Sequence, residues 1–386
     1  MTIRLRSVLI GAALLVMICA PVVLAIAMAQ DEPVETGPLP ESRAFAMGFT
    51  PWPYDFTLEA VQQTYVDITQ AGDLICHHLD DGVPWREALD GEDFPAPVEE
   101  SLLLRLRATP ASHVVYLACT PMGLDRKSLA SRWDEESNME RTGEWAEAGF
   151  DDPRVIEAYG NWCLRLIERF EPDYFCYGIE VDADLSAEDP SFPGLVALFE
   201  ATYRRVKTAH PELPTFLSFC TQGYGQSAER RRAVDEALEP YTDLVAISTY
   251  PFVGPALGGQ RANPEPLPDT WLQDKAAFAP GKPIAVAETG FMAEDLVMET
   301  HGVHIEGRPE WQAAYVRKLL RAAQAADAEF VVWFNVRDYD QAWDRLAEMG
   351  LDEVFKTWRD CGLKDGEGAP RPAMKVWGDW LDVPRG

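Results

Sequence analysis

Eight short apolar or aromatic runs punctuate the chain: AFAMGF (44–49), DLICHHL (73–79), HVVYLACT (113–120), DYFCYGIE (173–180), TFLSFCT (215–221), LVAISTY (244–250), IAVAETG (284–290) and FVVWFNV (330–336). Their length and near-continuous apolar character suit strands covered on both faces, as in a parallel sheet. Longer segments between them carry apolar residues at spacings of three and four, the signature of helices. TLEAVQQTYVDITQAG begins with Thr57 as N-cap and stops at Gly72. DPRVIEAYGNWCLRLIERFEPD places Pro153 at a first helical position. VEESLLLRLRAT, PGLVALFEATYRRVKTAHPELP, SAERRRAVDEALEPY, LPDTWLQDKAAFAPGK, RPEWQAAYVRKLLRAAQAAD and DQAWDRLAEMGLDEVFKTWRD complete the helical set. Strand and helix alternate eight times, which predicts an α/β fold and a single-domain (β/α)8 TIM barrel over residues 44–386.

The segment before the barrel has a different pattern. Residues 1–29 hold Arg4 and Arg6 ahead of an uncharged apolar run and end in small residues, which predicts a signal peptide and export. The run from Ser7 to Ala29 is also long enough to span a bilayer, so an uncleaved N-terminal anchor stays open, although Pro21 and the small residues before Gln30 favour cleavage. Bulky Ile18 before Cys19 argues against lipidation. Residues 30–43, rich in proline and acid, read as a linker. The location expected is periplasmic or secreted.

The formal net charge of −29 makes nucleic acid an unsuitable partner and leaves membrane contact to the N-terminal segment alone. A neutral ligand is indifferent to that field, and a monomer is the expected form. Six cysteines follow residue 30; their even number permits disulfides, but Cys76, Cys119, Cys176 and Cys220 lie in strand-like runs where a thiol serves as a small apolar group. No C-x-x-C pair, G-x-S-x-G elbow or nucleotide-binding glycine fingerprint occurs, so no cofactor is implied.

Two strands end on carboxylates. Glu180 closes the fourth run and Glu288 the seventh, and in a parallel barrel those ends share the functional face. Period-two alternation groups Glu180 with Gly178 and Cys176 facing inward, and Ile179, Tyr177 and Phe175 facing the helices; it likewise groups Glu288 with Val286 and Ile284 facing inward. Opposed carboxylates suit glycoside hydrolysis, in which one carboxyl donates a proton to the leaving oxygen and the other, ionised, attacks the anomeric carbon.

AVAETGF and the strand-four Glu180 give the chain a resemblance to the clan A glycoside hydrolases. The first motif is similar to the strand-seven nucleophile motif of the family 17 endo-β-glucanases and the family 53 arabinogalactan endo-β-1,4-galactanases. The resemblance implies a retaining β-glycosidase with Glu180 as acid/base and Glu288 as nucleophile, acting on a polysaccharide or oligosaccharide. It also implies Tyr250 as a hydrogen-bond partner of the nucleophile and Trp333 as a sugar platform. Where the clan usually has asparagine before the strand-four glutamate, this chain has Ile179, and Asp182 or Asp184 are the nearby polar candidates.

Further candidates cluster at strand ends. His78 and Asp80 in CHHLDDGVPW are expected to line the bowl, since adjacent His77 and His78 point to opposite faces and do not form a one-sided metal pair. Trp52 and Tyr54 serve either as sugar platforms or as loop packing; Asn335, Arg337 and Asp338 either contact sugar hydroxyls or form a structural ion pair. A non-catalytic carbohydrate-binding barrel, favoured by Ile179, and a metal-dependent hydrolase using the His77 region are the alternative readings.

Overall fold

The computed structural model describes residues 38–221, 227–253 and 260–386. The leader or anchor at 1–29 and the linker through residue 37 lie outside the described residues. Among those described, no helix is long and apolar enough to cross a membrane. The last linker residue already belongs to the fold: Arg43 is buried, pairs with Asp73 and donates from Nε to the Val383 carbonyl at 3.0 Å.

All eight expected strands are present. They are β1 (Ala46–Phe49), β2 (Leu74–Leu79), β3 (Val114–Cys119), β4 (Tyr174–Cys176), β5 (Thr215–Cys220), β6 (Val245–Thr249), β7 (Ile284–Thr289) and, after a small antiparallel hairpin of β8 (Leu296–Met298) and β9 (Val303–Ile305), β10 (Phe330–Trp333). Leaving out the hairpin, they close in chain order into a parallel barrel in which β10 pairs with both β7 and β1. Gly48 permits the close approach of β1 to β2, since a Cβ there would stand 2.3 Å from the Leu74 carbonyl oxygen. The barrel interior is filled by Tyr116, Phe216 and Phe330, with ring centroids 4.8 to 6.1 Å apart, and alanines at 246, 285 and 287 leave them room.

The outer layer contains α1 (Leu58–Ala71), α2 (Trp85–Asp90), α3 (Ala96–Ala108), α4 (Pro153–Phe170), α5 (Phe192–Ala209), α6 (Ala228–Leu238), α7 (Trp271–Ala276), α8 (Pro309–Ala325), α9 (Asp340–Glu348) and α10 (Pro372–Leu381). Thr57 caps α1 by accepting from the Ala60 amide, and Pro153 stands in the first turn of α4 behind an Asp152 cap. The helix expected over 340–360 is instead two pieces. Gly350 at φ +79° ends α9, and a 3-10 turn over Glu353–Trp358 follows. The helix that covers the barrel at this point is α10: Trp377 packs on Phe49 and Trp333 and donates its Nε1–H to the Ala71 carbonyl at 2.7 Å.

All six cysteines of the barrel are buried free thiols. They pack as apolar groups, five of them within strands or α4 and Cys361 in the segment before α10.

Candidate active site

Two local irregularities aim the carboxylates. Along β7, Ile284 and Val286 pack outward against the helices while Ala285 and Ala287 face the barrel interior, so strict alternation would turn Glu288 away from the bowl. A bulge restores it. Ile247 of β6 pairs with Val286, and the next residue, Ser248, pairs with Glu288, leaving Ala287 as an extra residue. The expectation that Ile284 and Val286 share the inward face of Glu288 is therefore corrected.

At β4, Cys176 points inward and Phe175 and Tyr177 outward, as alternation predicts, but the pattern slips beyond them. Ile179 joins the interior core instead of the outer layer, and Glu180, already past the strand, sits at φ +51°. A left-handed backbone is uncommon for a residue with a side chain and marks a constrained position. The Glu180 amide donates to Ser218 Oγ at 2.8 Å, which fixes the turn.

The two carboxylates have different surroundings. Glu180 accepts from Ser248 Oγ at 2.7 Å on Oε1 and from Arg126 Nε at 3.3 Å on Oε2. Arg126 also donates to Asp80 at 2.7 Å; burial works against its charge, but Asp80 and Glu180 outweigh that and hold the guanidinium charged. Glu288 accepts from the Tyr250 hydroxyl at 2.6 Å on Oε1, and His78 Nδ1 stands 3.5 Å from Oε2. Burial, reinforced by the charge of Glu180, pushes the Glu288 carboxyl up to about 8, against the pull of Tyr250 and Arg126. Burial also lowers the affinity of His78 for a proton, so its imidazole is neutral at neutral pH.

These groups share one bowl with about 990 Å³ of atom-free space, partly open to solvent. Its walls include Trp52, Phe334, Tyr339, Phe355 and Trp358. A floor of carboxylates beneath aromatic walls is suited to a ring with one apolar face and many hydroxyls.

Of the residues singled out in the sequence, Glu180, Glu288, Tyr250, His78, Asp80 and Trp52 come together here. Three do not. Trp333 is fully buried in the outer core between Tyr315 and Trp377, with Nε1–H donated to the Cys361 carbonyl at 2.8 Å; the next residue, Phe334, faces the bowl instead. Asp182 is fully buried facing Lys275, which it shares with Asp235 at 2.7 Å each, and it accepts from the Cys220 amide. Asn335 is fully buried and lines no part of the bowl. Arg337 stacks on Tyr54 and Asp338 pairs with Arg371 at 2.6 Å, the structural alternative for that rim.

His77 and His78 do diverge: His77 Nε2 meets Thr109 Oγ1 at 2.7 Å in the outer layer. Among the described residues, the acidic group close enough to hold a metal is Asp338, Asp340 and Asp360, and Arg359 and Arg371 already pair with it. Sequence reasoning missed Arg126, Ser248 and Phe334. Arg126 lies in the long loop between β3 and α4, which leaves the carboxyl end of a strand; Ser248 lies in β6, two positions before Tyr250, which follows that strand.

No protein-family model matches the sequence, and no curated protein sequence is similar to it. Solved structures are. A GH5_18 protein from Streptomyces cattleya, in complex with Manb1-4GlcNAc, superposes with a TM-score of 0.63 at 14% identity, covering 88% of this chain and 83% of that one. The exo-beta-1,4-mannosidase Op5Man5 from Opitutaceae bacterium strain TAV5 gives 0.59 at 14% identity over 87% of this chain and 59% of that one. The GH53 catalytic domain from Ignisphaera aggregans gives 0.55 at 17% identity over 92% and 100%. The fold is similar to that of clan A glycoside hydrolases. Sequence identity to these neighbours is 14% to 17%.

Proposed function

We propose that the protein is an exported, monomeric glycoside hydrolase that cleaves β-linked oligosaccharide or polysaccharide with retention of configuration. The observation that carries this reading is the pair of carboxylates, Glu180 and Glu288, delivered to one aromatic-walled bowl from β4 and β7 and held by separate donors. In the first step Glu288 attacks the anomeric carbon, and Glu180 gives its proton to the departing glycosidic oxygen. In the second, Glu180 takes a proton from water, and the resulting hydroxide displaces Glu288 from the sugar. Tyr250 occupies Oε1 of Glu288 and leaves Oε2 as the attacking oxygen. Trp52 and Phe334 are suited to carry the sugar's C–H face.

The named neighbours point to β-mannosides, and the resemblance of AVAETGF to the galactanase motif points to β-galactans, as the first substrates to try. Release of reducing ends from mannans, galactans, glucans and Manb1-4GlcNAc by the mature domain, with Glu288→Gln beside it, tests the reading. Release by the parent and none by the variant is expected.

One observation favours a second reading. Ile179 is buried in the barrel interior, so no side chain directly before Glu180 can hold a sugar hydroxyl. A barrel that binds carbohydrate without cleaving it would bind the same panel, and Glu288→Gln would leave that binding intact with no release by either protein.

A further inference from the structure

The acid/base role requires a proton on Glu180, yet both of its carboxylate oxygens already face donors. Arg126 Nε–H points at Oε2 and the Ser248 hydroxyl at Oε1. A proton added at Oε2 would meet an N–H that cannot accept it, because guanidinium has no acceptor, and a proton at Oε1 would require the Ser248 hydroxyl to turn from donor to acceptor. Glu288 differs. Tyr250 takes Oε1, but Oε2 faces a neutral imidazole nitrogen of His78, and among the described residues no cation lies in hydrogen-bond contact with it. Arg126 is itself fixed rather than adventitious: it is buried, sits at φ +51°, and its amide donates to the Gly123 carbonyl at 2.9 Å in a tight turn.

We propose that Arg126 is a positioning residue that decides where the proton of the carboxylate pair rests: it keeps Glu180 ionised in the ligand-free protein and leaves the proton on Glu288. The inference rests on the glycosidase reading for its consequence. With a glycoside bound, the proton has to pass from Glu288 to Glu180, which creates the donor and the nucleophile together. The proton count is unchanged by that transfer. The charged and titratable groups around Glu180 are Arg126 from the β3–α4 loop, His78 from β2 and Asp80 just after it, Cys220 from β5, Tyr250 at the end of β6 and Glu288 from β7. Arg126 is the one cation among them in contact with its oxygens. The upward push on the Glu288 carboxyl has the direction this arrangement requires.

The test needs no substrate. Carboxyl carbons of glutamate are followed by 13C NMR across the pH range in the ligand-free mature domain, with Glu180→Gln and Glu288→Gln to assign the two signals. Near neutral pH the proposal expects Glu288 protonated and Glu180 ionised in the parent and in Arg126→Lys, and the proton moved to Glu180 in Arg126→Met. A parent with its proton on Glu180, or an Arg126→Met variant with both signals unmoved, would overturn it. Arg126→Lys guards against loss of folding, because it keeps the charge. If the panel yields a substrate, the basic limb of kcat/KM should rise by about one pH unit or more in Arg126→Met, since a neighbouring arginine lowers a carboxyl by about 1–3 units. A uniform loss of rate with fixed limbs would instead mark a structural role and contradict the proposal. Failure of the panel overturns the glycosidase reading and leaves the NMR result to judge Arg126.

Discussion

Glu288 should destabilise the fold that holds it, and by an amount that grows with pH. Its carboxyl is pushed from an ordinary 4.5 up to about 8 in the folded protein, mainly by burial and next by Glu180. The folded state therefore holds a proton that the unfolded state releases, and stability falls as pH climbs from about 4.5 to about 8. At about 1.4 kcal/mol per pH unit, this rise corresponds to a penalty of about 5 kcal/mol, complete above the folded value. Glutamine has nearly the shape of the protonated carboxyl and carries no charge to desolvate. Glu288→Gln should then match the parent near pH 4.5 and become progressively more stable above it. With an unfolding entropy of about 2.1 cal/mol/K per residue over about 350 residues, 5 kcal/mol is about 7 °C in Tm. Thermal melts of both proteins, taken at a series of pH values, measure the difference directly. A gap that is constant with pH, or that widens toward acid, would refute the reasoning.

Other substitutions separate the site from the scaffold. Trp333→Phe loses the indole hydrogen bond to Cys361 and part of the contact with Trp377, costing about 1–3 kcal/mol in denaturant titrations while sugar binding per folded molecule stays unchanged. Trp52→Ala, by contrast, should weaken sugar affinity several-fold in calorimetry, with a smaller stability loss. Lys275→Met leaves Asp182 and Asp235 buried without their cation and should cost about 3–5 kcal/mol, read as a lowered denaturant midpoint. A chelator should leave sugar release unaffected; inhibition reversed by a divalent ion would revive a metal-dependent mechanism.

The barrel was legible because each strand is covered on both faces and is written as a continuous apolar run, which survives any error of register. Which side chain faces the bowl was less legible. Glu288 reaches the site through a bulge at Ala287, a pairing decision between β6 and β7 that no single-strand periodicity records. The same kind of slip exchanged Trp333 for Phe334 and sent Ile179 inward. Arg126 illustrates a different limit: it stands 54 positions before the carboxylate it pairs with, in a loop whose path only tertiary packing defines. The helix α10 did carry a signal, with Ala373, Val376, Trp377 and Trp380 at helical spacing, but it follows the last expected β/α unit and so fell outside the repeat.

The central claim, that Glu288 attacks sugar carbon, is tested most directly by trapping the intermediate. The protein would be incubated with activated 2-deoxy-2-fluoro β-glycosides of mannose, glucose and galactose, then digested and mapped by mass spectrometry. The account predicts one glycosyl adduct, on the peptide carrying Glu288. An adduct on Glu180, or hydrolysis that proceeds with inversion and no adduct, would contradict it.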